Sequence, residues 1–318
     1  MFEIAKVADG VYAAVAAPAY KINSNAAIIE NEDGVIVVDT HSKPSAARAV
    51  MEKIRELTPK PVRYVINTHF HWDHWQGNEV YPAAYPGVEV ITSEITREAM
   101  LRKNPKRIQD QIRGLPGEIT QLHADLAAAT SPQRKAELQS DLRQAQAYQE
   151  ELTRLKPALP TLAFEHAMKI LRTDREIQLL HLGRAHTAGD VFVYLPKEKV
   201  VATGDCVIGW APYMADGYPE DWVRTLRQLE RLDFTRMIMG HGQVEGKEWL
   251  RFFIAYLEDL IETVRREATA GASLADVQAR VPDLLAPKYE QGLSKYPTYR
   301  PWRRSLVGNL ERVYAAVS

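Results

Sequence analysis

The stretch Thr68-His69-Phe70-His71-Trp72-Asp73-His74 carries four potential metal ligands within six residues. It follows the largely apolar run 61–67, which predicts a buried β-strand that would hold a ligand loop rigid. In an extended chain His69 and His71 point to the same side, because side chains alternate with a period of two. Asp73 and the histidine after it diverge unless the chain turns there. The spacing therefore favours two neighbouring ions over one ion that takes all four ligands.

Three further candidate ligands follow later strand-like runs, and each stands in a loop that contains glycine. They are His186 in the segment 183–190, Asp205 directly after Gly204, and His241 between two glycines. Glycine lets the backbone approach a bound ion closely. Five of the nine histidines fall in these clustered or glycine-flanked loops. Because chance explains such clustering poorly, a two-metal centre is expected to draw its ligands from several loops.

The full set resembles the five-motif signature of the metallo-β-lactamase superfamily. It begins with Asp39 after an apolar strand, continues with the H-x-H-x-D-H motif, and ends with the three later ligands in the expected order. The resemblance implies an α/β fold, a four-layer αββα sandwich with the metals at one edge of its two sheets. We assign residues 1–96 and 160–245 to this catalytic domain.

The resemblance also implies a role for each ligand. Seven side chains would hold two ions: His69, His71 and His186 the first, Asp73, His74 and His241 the second, with Asp205 bridging both. Imidazole and carboxylate ligands suit two Zn²⁺ ions, although Fe or Mn would also be accepted. A hydroxide that bridges the metals would be the nucleophile, with Asp73 and Asp205 as catalytic carboxylates. The net positive charge of such a centre favours an anionic substrate or an oxyanion in the transition state.

Several neighbouring residues are predicted to support the ligands. Asp39 is expected to orient the ligand loop by hydrogen bonds, because coordinating histidines usually donate their other N–H to such a group. A strand-end cap is the alternative role for this residue. Asp190 is expected to tie down the loop of His186. Cys206 adjoins Asp205 and is expected to face away from the metals as a small buried residue.

Aromatic residues near the ligands predict an apolar-walled pocket. The candidates are Trp72, Trp210 and Tyr213. Tyr213 is also a catalytic candidate, since a tyrosine in related lactonases donates to the carbonyl oxygen. Tyr299 and Trp302 belong to a proline-stiffened segment near the C-terminus. Packing on the core is the default for that segment, and a contribution to the pocket is the alternative.

Residues 97–159 are predicted to form an inserted helical hairpin. Leucine and isoleucine recur at steps of three and four in both halves, and Ser131-Pro132 suits an N-cap and a first helical position. Three interpretations stay open for this insertion: a self-packed surface embellishment, a contact of a homodimer, and a wall over the active site. Residues 246–318 are predicted to be a helical extension that packs on the core.

Composition restricts the class of protein. The 318 residues are 46% hydrophobic with a net charge of -1, which argues against disorder and against a nucleic-acid partner. No apolar run approaches the ~18 residues that a membrane span needs. The sequence 1–6 lacks the pattern of a signal peptide. We therefore expect a cytoplasmic enzyme with a small-molecule substrate and no membrane partner.

The leading hypothesis is a zinc-dependent hydrolase of an ester, lactone, thioester or related small molecule. An aspartate in the bridging position resembles the lactonase, thioesterase and phosphodiesterase branches of the family, whereas dedicated β-lactamases usually have cysteine or no ligand there. A metallo-β-lactamase that hydrolyses β-lactam antibiotics is the alternative within this class. A di-iron protein that handles electrons or oxygen is the alternative from another class, because some relatives carry iron in this fold.

Overall fold

The structure is a computed structural model that describes residues 1–20, 23–173, 175–295 and 301–318. In these ranges the strands form two sheets. Seven strands pair in chain order in the first sheet: β1 Phe2–Ala8, β2 Val11–Ala16, β3 Ala26–Glu30, β4 Val35–Val38, β5 Val62–Ile66, β6 Glu89–Ser93 and β7 Leu162–Phe164. The second sheet also pairs its strands in chain order: β8 Ala167–Leu171, β9 Glu176–Leu180, β10 Phe192–Leu195, β11 Val200–Gly204 and β12 Arg236–Met239.

The described helices form three sets. They are α1 Pro44–Leu57, α2 Val80–Ala84, α3 Glu94–Ala128, α4 Pro132–Arg154, α5 Pro219–Glu230, α6 Lys247–Thr269, α7 Leu274–Leu293 and α8 Trp302–Val317. Within the described residues, α1 and α2 pack on the first sheet, α5 to α8 pack on the second sheet, and α3 and α4 form the insertion. Helix α1 buries Val50 and Ile54 against the first sheet. Helices α5 to α8 share one apolar cluster with the outer face of the second sheet. The predicted four-layer αββα sandwich is therefore confirmed.

The core between the sheets follows from alternation along the strands. In β2, Val11, Ala13 and Val15 belong to the cluster between the two sheets. Ala14 belongs instead to the cluster under α1, because successive side chains of a strand point to opposite faces. A strand buried on both faces must be apolar throughout, which is the reason for the unbroken apolar runs in this half of the chain.

The inserted hairpin consists of α3 and α4. Helix α4 begins as predicted, because the Ser131 side chain accepts a hydrogen bond from the Arg134 backbone N–H. Helix α3 begins at Glu94, before the expected residue 97, because Ser93 caps it in the same way. Strand β7 was not predicted and extends the first sheet beside β6. The boundaries assigned to the three domains stay a prediction.

The C-terminal extension is helical, as expected. Trp302 is buried among the side chains of this extension and the outer face of the second sheet, which agrees with the packing interpretation. Tyr299 lies outside the described residues. Within the described part of the chain, no helix has the length and apolar character needed to cross a membrane.

Candidate metal centre

The seven predicted ligands meet at one edge of the sandwich. The ligand loop follows β5, Asp205 directly follows β11, and His241 lies two residues beyond β12. Strands β11 and β12 are parallel neighbours, so their carboxyl ends lie side by side. Within the ligand loop, residues Trp72–His74 form a single 3₁₀ turn. This is the turn that the sequence required for Asp73 and His74 to face a common centre.

The ligand atoms form three overlapping groups that could each hold an ion, and two of them share no residue: a first group of His69, His71 and His186, and a second group of Asp73, His74 and His241. In the first group His186 Nε2 lies 2.8 Å from His71 Nδ1, and His69 is the third member. In the second group His241 Nε2 lies 3.1 Å from Asp73 Oδ2. The ligand atoms of each group lie within 4.8 Å of one another. Such spacing suits donors that share one cation.

Asp205 stands between the two groups. Its Oδ1 lies 3.2 Å from His74 Nε2 and 3.5 Å from His241 Nε2, both in the second group. Its Oδ2 lies 3.7 Å from His186 Nε2 in the first group. A Cβ on Gly240 would come within 2.0 Å of Oδ1, so only glycine leaves room for the carboxylate there. One oxygen facing each group is the arrangement that a bridging carboxylate needs.

Asp39 orients the ligand loop through hydrogen bonds to Thr68 and His74. Its Oδ1 accepts a hydrogen bond from the Thr68 backbone N–H at 2.8 Å, and its Oδ2 accepts from the Thr68 hydroxyl at 2.8 Å. Oδ2 also accepts from His74 Nδ1 at 2.7 Å, which turns Nε2 of that ring toward the centre. Asp39 has a φ of 62°, a left-handed conformation that costs an L-residue roughly 1–2 kcal/mol. We attribute this strain to the need for one carboxylate to reach three donors.

Asp190 ties down the loop of His186. Its carboxylate accepts from the Thr187 backbone N–H at 2.8 Å and from the Thr187 hydroxyl at 2.7 Å. Burial raises the pKa of the Asp190 carboxyl. Cys206 is fully buried, and burial raises the pKa of its thiol well above the ordinary value. A neutral buried thiol is a poor metal ligand.

Asp216 also contacts the centre, and sequence reasoning did not assign it a role. His71 Nε2 donates to Asp216 Oδ2 at 3.0 Å, which leaves Nδ1 of that ring to face His186. Lys103 and Arg107 of α3 donate to the same carboxylate at 2.9 and 2.7 Å. Burial opposes ionisation, but these hydrogen bonds hold the pKa of Asp216 well below its ordinary value. No local pattern pairs positions 71 and 216.

The electrostatics of the site fit a cation. Burial lowers the pKa of His69 well below its ordinary value and that of His186 to about 3, so both rings are neutral near pH 7 and offer lone pairs. Burial also opposes protonation of His241 in the second group. The nearby carboxylates of Asp205 and Asp73 outweigh burial and raise the pKa of His241 to about 9. Among the described side chains, Nε2 of His69 is buried without a hydrogen-bond partner. Divalent cations would satisfy both the carboxylates and this nitrogen.

A cavity of about 960 Å³ lies over the centre. All three pocket candidates line it: Trp72, Trp210 and Tyr213. The Tyr213 ring is half exposed, and its centroid lies 5.6 Å from that of His71. Residues of α3, α4, α8 and the segment 208–215 form the remaining walls. The inserted hairpin is therefore a wall of the cavity, which was one of the three interpretations left open by the sequence. The homodimer contact stays a prediction.

The sequence profile of the metallo-beta-lactamase superfamily matches residues 19–241. The chain belongs to this superfamily. Its members are mostly hydrolases and generally bind divalent metals. A solved relative, a metallo-beta-lactamase from Pontibacter korlensis, superposes with a TM-score of 0.59 at 18% identity, and the match covers 81% of this chain and 99% of that one. A likeness at this identity shows the superfamily fold alone.

Two curated relatives match over most of this chain. The linear primary-alkylsulfatase of Pseudomonas sp. (strain ATCC 19151) is 25% identical over 257 residues, which are 75% of this chain and 46% of that protein. The 2,4-dinitroanisole O-demethylase subunit alpha of Nocardioides sp. (strain JS1661) is 24% identical over 217 residues, which are 67% of this chain and 51% of that protein. The chain spans about half the length of these relatives.

Proposed function

We propose that the chain is a two-metal hydrolase that cleaves an ester bond in a small molecule. The observation that carries the proposal is Asp205, whose two carboxylate oxygens face different ligand groups. That arrangement supports two ions at a spacing set by one residue. When bound, two divalent ions would supply Lewis acidity to the ester and would activate water. Zinc suits the histidine-rich donor set, and iron or manganese would also be accepted.

The protein side chains have separate tasks in this proposal. Asp39 and Asp216 orient the imidazoles of His74 and His71, so that each ring presents a lone pair to the centre. Tyr213 is exposed to the cavity beside the first group, and we assign its hydroxyl to donate to the oxygen that gains charge. These tasks need no serine or cysteine nucleophile.

Two observations favour an oxygen ester among the hydrolase substrates. The names of the two curated relatives, an alkylsulfatase and an O-demethylase, both describe the release of a group from oxygen. In the proposed centre Asp205 would bridge the two ions, whereas dedicated β-lactamases usually have cysteine or no ligand at that position. Hydrolysis of β-lactam antibiotics is thus the second candidate within the superfamily, and a di-iron redox role is the third.

The test combines elemental analysis with a substrate panel. Protein expressed without added metal is analysed for zinc, iron and manganese. It is then assayed with p-nitrophenyl acetate, p-nitrophenyl sulfate, an acyl-homoserine lactone, a thioester and nitrocefin. We expect two equivalents of zinc and ester hydrolysis that a chelator abolishes and Zn²⁺ restores. Fastest turnover of nitrocefin would favour the β-lactamase, and two equivalents of iron without hydrolysis would overturn the hydrolase.

A further inference from the structure

Phe70 lies in the ligand loop between two candidate ligands of the first group, His69 and His71. Its side chain is only 3% exposed and packs in an apolar cluster with Ala99 and Met100 of α3. The inserted hairpin therefore contacts the ligand loop directly, in addition to forming a wall of the cavity.

The backbone carbonyl of Phe70 accepts two hydrogen bonds. One comes from Trp75 Nε1, within the same loop, at 3.1 Å. The other comes from Asn104 Nδ2 of α3, also at 3.1 Å. A carbonyl oxygen has two lone pairs, so these two donors satisfy it completely. Asn104 is 4% exposed, so its bond forms away from water, where a hydrogen bond is electrostatically stronger.

Local helix preferences do not explain an asparagine at position 104. Asparagine competes with the backbone for hydrogen bonds and is disfavoured inside helices. Residue 105 is a proline inside α3, and a proline disfavours the helical conformation of the residue before it. Asn104 therefore occupies a helix interior against two local preferences. Its hydrogen bond to the Phe70 carbonyl is a tertiary contact that accounts for its presence there.

Neighbouring residues of α3 contact the same part of the ligand loop. Lys103 Nζ and Arg107 Cζ lie 4.6 and 4.9 Å from the centroid of the Phe70 ring, at distances that suit cation–π contacts. Both cations also donate to Asp216, which accepts from His71 Nε2. Residue 107 is a neighbour of both 103 and 104 on the helix surface, at steps of four and three. One patch of α3 thus contacts both the ring of Phe70 and the partner of the next imidazole.

The Phe70 carbonyl acts on His71 through the peptide unit that joins the two residues. This unit is planar, so a donor that holds its oxygen also fixes the direction in which the backbone enters His71. Asp216 restrains the other end of the same residue by accepting from His71 Nε2. With its backbone and its ring both restrained, His71 presents Nδ1 to His186.

We propose that Asn104 is a positioning residue for the first ligand group. It holds the Phe70 carbonyl, and through it the backbone of His71, in the orientation that lets Nδ1 of this ring join the other two ligands around one ion. The proposal rests on the proposed function for the presence of the ions. It rests on the hydrogen bond from α3 for the orientation of the ligand.

The second ligand group has a different support. Asp39, directly after β4, accepts from His74 Nδ1 at 2.7 Å and so orients that ring from the sandwich. Loss of the Asn104 bond is therefore expected to weaken the binding of one ion and to spare the other. A general loss of stability would not produce this selectivity.

The first test measures the affinity of both ion sites. Metal is removed with a chelator, and Zn²⁺ is returned in competition with a chromophoric chelator, which gives two dissociation constants. Asn104→Leu keeps a side chain of similar size but removes the donor. We expect one dissociation constant to rise about tenfold, at the lower end of the effect of a lost orienting partner. The other should keep its wild-type value.

A second variant and a packing control make the result specific. Asn104→Asp replaces the donor with a carboxylate oxygen that repels the Phe70 carbonyl, so the same constant should rise at least as far. Leu138 of α4 is buried and lies outside the cluster around Phe70. Leu138→Ala loosens the hairpin but keeps the Asn104 bond, so both constants should stay at their wild-type values. Unchanged affinities in both Asn104 variants, or an equal rise in Leu138→Ala, would overturn the proposal.

Hydrogen exchange of the metal-free protein separates this proposal from the proposed function. Exchange of a peptide that covers residues 68–75 is followed by mass spectrometry. We expect Asn104→Leu to speed exchange of this peptide, whereas Leu138→Ala keeps the wild-type rate. Faster exchange in Asn104→Leu, together with a wild type that binds no metal, would support the positioning role and contradict the proposed function. Two ions in the wild type, with exchange and affinities unchanged in Asn104→Leu, would do the reverse.

Discussion

The metal centre and the cavity above it are built from different kinds of structure. Ligands of the centre stand in short loops at strand ends, and buried hydrogen bonds such as those of Asp39 fix their direction. The cavity is bounded on its far sides by helices of the insertion and of the C-terminal extension. We therefore expect the sandwich to determine the chemistry and the added helices to determine which substrate reaches it.

The two regions meet at Asn104 and at Asp216. This carboxylate holds His71 on one side and Lys103 and Arg107 of the inserted hairpin on the other. A change in the hairpin can therefore reach a metal ligand through one hydrogen-bonded step. Elsewhere the two regions are expected to respond separately to mutation, and the predictions below test how far that separation holds.

The largest effect is expected at the centre itself. Asp205→Asn keeps the shape of the side chain but removes the negative charge between the two ligand groups. We expect metal content to fall from about two equivalents toward one, and kcat to fall by ~10²-fold or more. Elemental analysis and ester turnover measure both quantities. Asp233→Asn, at an exposed carboxylate paired with Lys199, is the control. Retention of both ions with normal turnover would show that Asp205 does not bridge them.

The next effect tests the link between the regions. Asp216→Asn weakens the acceptor for His71 Nε2, and the loss of such an orienting partner typically costs 10–100-fold in metal affinity. We expect the ion at the first group to be lost first in a chelator titration, with the fold intact by circular dichroism. Arg107→Gln keeps Asp216 in place and should give a smaller change in the same direction. If the Asp216→Asn variant binds both ions as tightly as the wild type does, the proposed link between the two regions is wrong.

A third variant loosens the hairpin without touching the centre. Glu151 of α4 accepts hydrogen bonds from the Ser45 backbone N–H and hydroxyl at the start of α1. Glu151→Ala removes this cap and should lower the free energy of unfolding by about 1–2 kcal/mol. Urea denaturation measures the loss, with the exposed neighbour Glu150→Ala as control. Metal content should stay at the wild-type value, so a loss of metal would mean that the two regions are not separate.

The smallest expected effect concerns helix propensity in α3. Gly117→Ala should raise the free energy of unfolding by roughly 0.5–1 kcal/mol, because alanine suits a helix interior better than glycine. Gly271→Ala, after α6, should instead destabilise the protein, since its φ of +86° disfavours an L-residue. Thermal unfolding of both variants measures the contrast. The same sign of change in both would contradict the conformational explanation, and neither variant should alter ester turnover.

Sequence alone determined the sandwich and the candidate ligands. Apolar runs of alternating or continuous type depend on residues close together in the chain, and so does the H-x-H-x-D-H motif. The same local patterns predicted the hairpin and its cap at Ser131, which the structure confirms. The seven candidate ligands come together as the resemblance implied, and their binding of metal stays a prediction.

Tertiary structure decided the features that depend on distant pairs of residues. Asp216 became a partner of His71 only because its loop folds back between the ligand loop and α3. The hairpin became a wall because Glu151 fastens it to α1 and Trp72 packs on Tyr148. An amphipathic pattern shows that a helix has an apolar face, but it does not show what that face meets. The partner is set by the path of the whole chain.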